Sequence, residues 1–293
     1  MASSDRRRPI AAALALVAAT LAPAAAPAAE YAGPIIDVHS HLSSPAAIDA
    51  YAAAARRHNV VRVVLLGVGG VQKDDAAWIA GAARTHPDLV VPGVPVPDPM
   101  APGAAPALDA ALGKGRARIA GEVHVRQMGS RRIERDPSSP AFGRILETVA
   151  RHGVPLVIHY ELTDEAAAAL DRALAAHRKA TVVLAHAGEG PASRIRGLLE
   201  RNPNLLVDLS GMHFQRKPAL ATETGPLDPQ WKALIEAMPD RFLAGIDVWA
   251  PRLFEPKMLD RLMTWTRRIL GELRPDVAER VAHRNAARLL RLE

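Results

Sequence analysis

The chain has 293 residues, 49% of them hydrophobic and 23% charged, the balance of an ordinary globular protein able to bury a sizeable core. It has no cysteine, which excludes disulfides, thiolate metal ligands and cysteine nucleophiles. The net charge of +6 owes part of its size to Arg6, Arg7 and Arg8. The other basic residues are interspersed with acids, as in Arg131-Arg132-Ile133-Glu134-Arg135-Asp136, and no aromatic-interleaved basic stripe points to nucleic acid.

Residues 1–28 read as a signal peptide. Arg6 to Arg8 form a positive start, Ile10 to Leu21 an apolar stretch, and Ala26-Pro27-Ala28 a small-x-small cleavage site. The apolar stretch is short and alanine-rich for a membrane span, so a soluble exported protein, periplasmic or secreted, is expected, with no stable membrane insertion after cleavage. An uncleaved anchor is the alternative. Pro9 weakens any likeness to a twin-arginine signal.

From about residue 33, within an expected domain of 29–293, one unit recurs: a short apolar run, a polar turn, then an alanine-rich helical stretch. The spacing predicts strands at Ile35–His41, Val60–Val68, Leu89–Val96, Arg118–Arg126, Val154–Tyr160, Thr181–Ala187, Asn204–Ser210 and Phe242–Trp249. Helices are predicted near 45–58, 75–85, 104–113, 140–152, 164–178, 191–201, 230–238 and 255–271, with closing helices in Pro275–Leu292. Thr163 before Asp164 and Glu165 is a good helix start.

Strict alternation of strand and helix implies a parallel sheet, and eight such units match an α/β fold of the (β/α)8 TIM-barrel kind. An open doubly wound sheet would place a glycine-rich phosphate turn after its first strand, and His39-Ser40-His41 stands there instead. Three connections after strands are long: Pro97–Pro106, Gln127–Pro140 and Gly211–Pro229. In a barrel they lie on the catalytic face, and the last has the composition of a lid.

Chemistry-bearing residues gather at strand ends. His39 and His41 lie two apart, so period-two alternation puts both on one side of the first strand, with Asp37. Glu122 and His124 end the fourth strand, His159 the fifth, His186 the sixth and Asp247 the eighth. One ionisable group at the end of an apolar strand is commonly a satisfied structural residue, but seven on five strands call for pairing or a bound cation. His58, His86, His152, His177 and His283 fall in helices or at their ends and read as surface residues, and His213 is ambiguous.

This set resembles the amidohydrolase superfamily. The ending Arg284-Asn285-Ala286-Ala287-Arg288-Leu289-Leu290 is similar to the closing motif of its amidohydrolase-related branch. The resemblance covers nearly all of the chain from about residue 33. It implies that His39, His41, His159 and Asp247 ligate a first metal. His186 is then either a ligand of a second metal or a metal-free catalytic group. Glu122 is either a bridging ligand or a partner that orients a ligand histidine. One or two divalent ions are implied, zinc first, with manganese or iron as substitutes.

The chemistry so implied is hydrolysis of a small-molecule amide, lactone or ester by metal-activated water, with Asp247 moving the proton and His186 or the metal stabilising the oxyanion. The rival within the family is decarboxylation of an aromatic or unsaturated acid. Arg126, Arg131 and Arg132 offer themselves to a substrate carboxylate, and Arg126, His124 and His213 are the expected substrate contacts. A non-enzymatic binding barrel is the rival of another class, and the complete acid–base set weighs against it. Self-association into a homo-oligomer is left open.

Overall fold

The computed structural model describes residues 29–68, 74–129 and 132–292, so the expected signal peptide and Arg131 lie outside the described residues. The apolar runs become strands β1 (Ile35–Ser40), β2 (Val60–Leu65), β3 (Val90–Pro92), β4 (Ala120–Gln127), β5 (Ile133–Glu134), β6 (Leu156–Tyr160), β7 (Val182–Leu184), β8 (Leu205–Asp208) and β9 (Phe242–Leu243). Between them run α1 (Ala47–Arg57), α2 (Asp75–Thr85), α3 (Ala104–Leu112), α4 (Pro140–His152), α5 (Asp164–Ala176), α6 (Ala192–Arg201), α7 (Pro229–Ala237) and α8 (Pro256–Gly271). Two short helices follow, α9 (Pro275–Glu279) and α10 (Asn285–Leu290). Thr163 does cap α5, its hydroxyl accepting from the Ala166 amide at 3.2 Å.

The strands pair in parallel, apart from β5, which folds back antiparallel on the end of β4. The single closed sheet expected from the repeat is present as two, ordered β1-β2-β3 and β5-β4-β6-β7-β8-β9. The gaps have local causes. Beside β3, Pro92, Pro95 and Pro97 remove ladder donors, and an isolated bridge from Val94 to Ala120, with hydrogen bonds between Gly67 and the Gly121–Glu122 backbone, reaches the second sheet. Beyond β9, the left-handed backbone of Asp247 (φ 61°) breaks the strand. Hydrogen bonds still cross this seam, from Val38 N to Ala244 O at 3.0 Å and from Asp247 N to His39 O at 2.8 Å. The architecture is TIM-barrel-like, with the predicted third and eighth strands shortened.

Two apolar layers result. Ile36, Val38, Val64, Val91, Val157 and Val183 form an inner cluster. A larger outer cluster joins the strands' other faces to the helices. Helix α10 caps the inner cluster at the strands' N-terminal ends with Ala286, Ala287 and Leu290. There the Asn285 amide donates to Pro239 O at 2.8 Å and Phe242 O at 2.9 Å, satisfying the carbonyl that starts β9 and one in the turn before it.

Candidate metal centre

The first two histidines converge on one cluster, His41 at the cavity and His39 buried beneath it, and β1 does not alternate strictly there. Its register with β2 slips between Asp37 and Ser40, so Val38 packs in the inner cluster while His39 and His41 still converge above it. The slip separates Asp37 from the histidines, contrary to the period-two expectation. Its carboxylate turns toward α1, accepting from Tyr51 Oη and Ser40 Oγ, both at 2.6 Å, and from the amides of His39 and Ile246. Burial lifts this carboxyl to about 6, against the pull of those hydrogen bonds. Asp37 thus ties β1 to the segment carrying Asp247.

His39 and His41 present matched nitrogens. The Nδ1 of His39 faces Asp208 Oδ2 at 2.9 Å and that of His41 faces the Leu66 carbonyl at 3.0 Å, so both carry their proton on Nδ1. The two Nε2 lone pairs then point at one another across 3.2 Å. Facing lone pairs repel unless a cation or proton lies between them. The separation suits two nitrogens each about 2.1 Å from one ion. His186 follows the same pattern, with Nδ1 2.9 Å from the Ser210 carbonyl and Nε2 free to face the cluster. It sits past the end of β7, in a left-handed turn (φ 54°) rather than on the predicted strand.

Glu122 is the hub. Its Oε2 lies 3.6 Å from His39 Nε2, 3.5 Å from His41 Nε2 and 3.4 Å from His124 Nε2. Its Oε1 lies 3.0 Å from His159 Nδ1 and 3.4 Å from His186 Nε2. Gly121, at φ 119°, brings it there: a side chain at 121 would strike the Val157 carbonyl of the neighbouring strand. Asp247 closes the far side, with Oδ1 3.6 Å from His41 Nε2 and Oδ2 3.9 Å from His186 Nε2.

All these groups are buried, and their charges answer one another. Burial alone would raise the Glu122 carboxyl, but the charges on His39 and His124 outweigh it and hold it well below the usual range. Burial alone would lower His39, yet Asp208 and Glu122 hold it well above the ordinary imidazole value. His41 falls to about 4, through burial and the neighbouring His39 charge. Burial opposes the rise of His159, which hydrogen bonds to Glu122 and Glu161 carry to about 9. A proton and a divalent cation answer the same negative field, so this donor set of imidazoles and carboxylates fits a metal ion.

The cluster floors a cavity of about 220 Å³ lined by His41, Glu122, His124, His159, His186 and Asp247 together with Val68, Gln127, Arg216 and Trp249. Two expected substrate contacts lie elsewhere. Arg126 is turned aside where β4 shifts register and pairs with β5, its guanidinium donating to the Glu161 carbonyl at 2.6 Å. His213 lies off the cavity wall, against Phe214, and burial lowers it to about 4. Arg132 pairs with Glu134 at an exposed position. The arginine that enters is Arg216, from the long connection after β8, donating to Asp247 Oδ2 and, at 3.2 Å, to Glu189. Nothing periodic in that loop marks it. Asp208 was legible, since it ends the seventh predicted strand as the chosen residues end theirs. Its Oδ1 also accepts from the amides of His186 and Ser210, at 3.1 Å each, so one carboxylate orients two of the histidines. Among the helix-borne histidines, His58 and His152 pair with Asp260 and Asp109.

Solved structures share this fold at low sequence identity. A dihydroxybenzoic acid decarboxylase from Polaromonas, with bound manganese and the inhibitor 2-nitroresorcinol, superposes with a TM-score of 0.61 at 15% identity, over 89% of this chain and 97% of that one. An amidohydrolase from Burkholderia multivorans with bound zinc gives 0.60 at 16% identity, over 88% and 99%. A 4-oxalomesaconate hydratase from Rhodopseudomonas palustris gives 0.58 at 13%, over 88% and 95%. No curated protein matches the sequence. The amidohydrolase family model matches residues 28–292, and the chain therefore belongs to the amidohydrolase family.

Proposed function

We propose that the chain is a metal-dependent hydrolase of a small-molecule amide, lactone or ester. One observation carries this reading: the Glu122 carboxylate lies between His39 and His41 on one oxygen and His159 and His186 on the other, with Asp247 beside them. These six residues would hold one divalent cation or two, and in the second case Glu122 would serve as a ligand common to both. The donor set suits zinc, with manganese or iron as substitutes. Solved relatives of the fold hold manganese and zinc. A cation bound there polarises a substrate oxygen and brings the pKa of adjacent water to about 7.

The chain's own residues supply the remaining steps. Asp247 takes a proton from the attacking water and returns it to the leaving group. Arg216 engages Asp247 Oδ2 and leaves Oδ1 facing the histidines. His186, held by the Ser210 carbonyl, presents Nε2 to the developing oxyanion. Decarboxylation is the second reading. Arg216 in the cavity wall is its specific support, since a guanidinium suits a substrate carboxylate.

The test is a screen of lactones, amides, phosphoesters and aromatic acids with the zinc- or manganese-loaded protein. Hydrolysis products are expected. Release of carbon dioxide without hydrolysis would replace this reading by the second, and a metal content near zero would sink both. We further propose export through residues 1–28 to the periplasm or beyond. Among the described residues no helix is long and apolar enough to cross a membrane. The N-terminal residue of protein recovered from the periplasm checks the cleavage.

A further inference from the structure

One histidine of the cluster is turned the other way from its neighbours. His39, His41 and His186 are each held at Nδ1, by Asp208, the Leu66 carbonyl and the Ser210 carbonyl, and present Nε2 to the cluster. His159 presents Nδ1 instead, 3.0 Å from Glu122 Oε1. Its Nε2 faces Glu161 Oε1 at 3.5 Å. An imidazole ligates through one nitrogen, and the partner of the other nitrogen settles which one it is. For His159 that partner is the Glu161 carboxylate.

Glu161 is itself held from three sides. It follows β6 directly, and its Oε2 accepts from the Met128 amide at 2.9 Å. Its own amide donates to the Arg126 carbonyl at 3.1 Å, and its carbonyl accepts from Arg126 Nη1 at 2.6 Å. The end of β4, fixed by its hairpin with β5, thus sets both the backbone and the carboxylate of Glu161. One carboxylate oxygen is taken by an amide, and the other is left for the ring. Among the described residues, His159 is the ion-pair partner of this carboxylate, whose side chain is 18% exposed. Glu189 stands within 4.8 Å of the same group, but Arg216 engages it.

His159 therefore lies between two carboxylates, with a proton called for on each ring nitrogen. A histidine that ligates a metal must give one proton up. Loss from Nε2 would aim a lone pair at the Glu161 carboxylate, where two electron-rich atoms repel. Loss from Nδ1 frees the nitrogen that faces Glu122 and the other ligands. We propose that Glu161 is a positioning residue of the metal centre: it keeps the His159 proton on Nε2 and so leaves Nδ1 as the ligating nitrogen. The inference rests on the metal reading above and holds for hydrolysis and decarboxylation alike.

The experiment reads two quantities on the protein: zinc affinity by chelator competition, and histidine tautomers by long-range proton–nitrogen NMR on isotope-labelled histidine. Zinc-loaded wild type should show His159 protonated on Nε2, and His39, His41 and His186 on Nδ1. Loss of the odd signal in H159N assigns it. E161A should lose that Nε2 proton signal and bind zinc about 10–100-fold more weakly. E161Q keeps an acceptor of the same shape without the charge. It should lose about threefold to tenfold, less than E161A, and it decides the matter if E161A does not fold.

A wild-type His159 protonated on Nδ1 overturns the proposal. So does a fall in zinc affinity with the ring still protonated on Nε2, which would make Glu161 a brace for Met128 and nothing more. Wild type that binds no zinc fails the metal reading and this inference with it. Wild type that binds zinc, with both variants binding it equally well, fails this inference alone.

Discussion

The two ends of the strand array treat polar groups in opposite ways. At the N-terminal end the chain answers itself. Asn285 donates to the Pro239 and Phe242 carbonyls, Arg241 donates to the Leu205 carbonyl, and Leu290 seals the apolar cluster. At the C-terminal end five histidines crowd one glutamate, two Nε2 atoms face each other at 3.2 Å, and buried atoms of His124 and Gln127 have no partner. Burying polar groups costs free energy unless they are paired. One end is therefore built for stability, while the other keeps a cost that a bound ion and a ligand would relieve.

The sharpest way to break this contrast is Asp247→Asn. Turnover should fall by about 10²–10⁴-fold while the metal content measured by mass spectrometry is largely kept. Activity that survives would show that the proton takes another route. At the opposite end, Leu290→Ala should cost about 2–5 kcal/mol in a denaturant melt, with kcat and metal content unchanged in the protein that remains folded. A kinetic effect without destabilisation would erase the division between the ends.

Smaller changes sharpen the comparison. Asp208→Asn keeps the shape but weakens the hold on His39 and His186, and a drop of about 10–100-fold in zinc affinity is expected in a competition titration. An unchanged affinity would make Asp208 a purely structural residue. The smallest effect belongs to neither end. On the outer layer Asp171 accepts from Asn202 and from Arg201 at 2.8 Å; burial opposes these bonds, which still lower its carboxyl. A folded pKa below the unfolded one gives stability present above about pH 4 and lost as pH falls through the folded value. Being largely exposed, the pair should contribute less than about 1 kcal/mol, seen as a difference between wild type and Asp171→Asn that vanishes in acid. A difference that grows toward low pH would reverse the sign.

Much of this molecule was readable from local pattern. Apolar runs long enough to be buried on both faces, alternating with alanine-rich amphipathic stretches, determined the strand–helix order and the TIM-barrel-like class. A charged or imidazole side chain ending such a run determined which residues, from His39 to Asp247, gather at one end, because parallel strands bring their C-terminal ends together. The same rule applied to the seventh strand reaches Asp208. Only the tertiary structure decided which way those side chains face. The slip in β1 turned Asp37 away, left-handed backbone at His186 and Asp247 aimed two others, and the hairpin with β5 drew Arg126 aside. It also split the sheet at the prolines after β3 and brought Arg216 in from a loop without periodicity. Periodicity reports burial along one segment, whereas register and backbone handedness are settled by contacts between segments far apart in the chain.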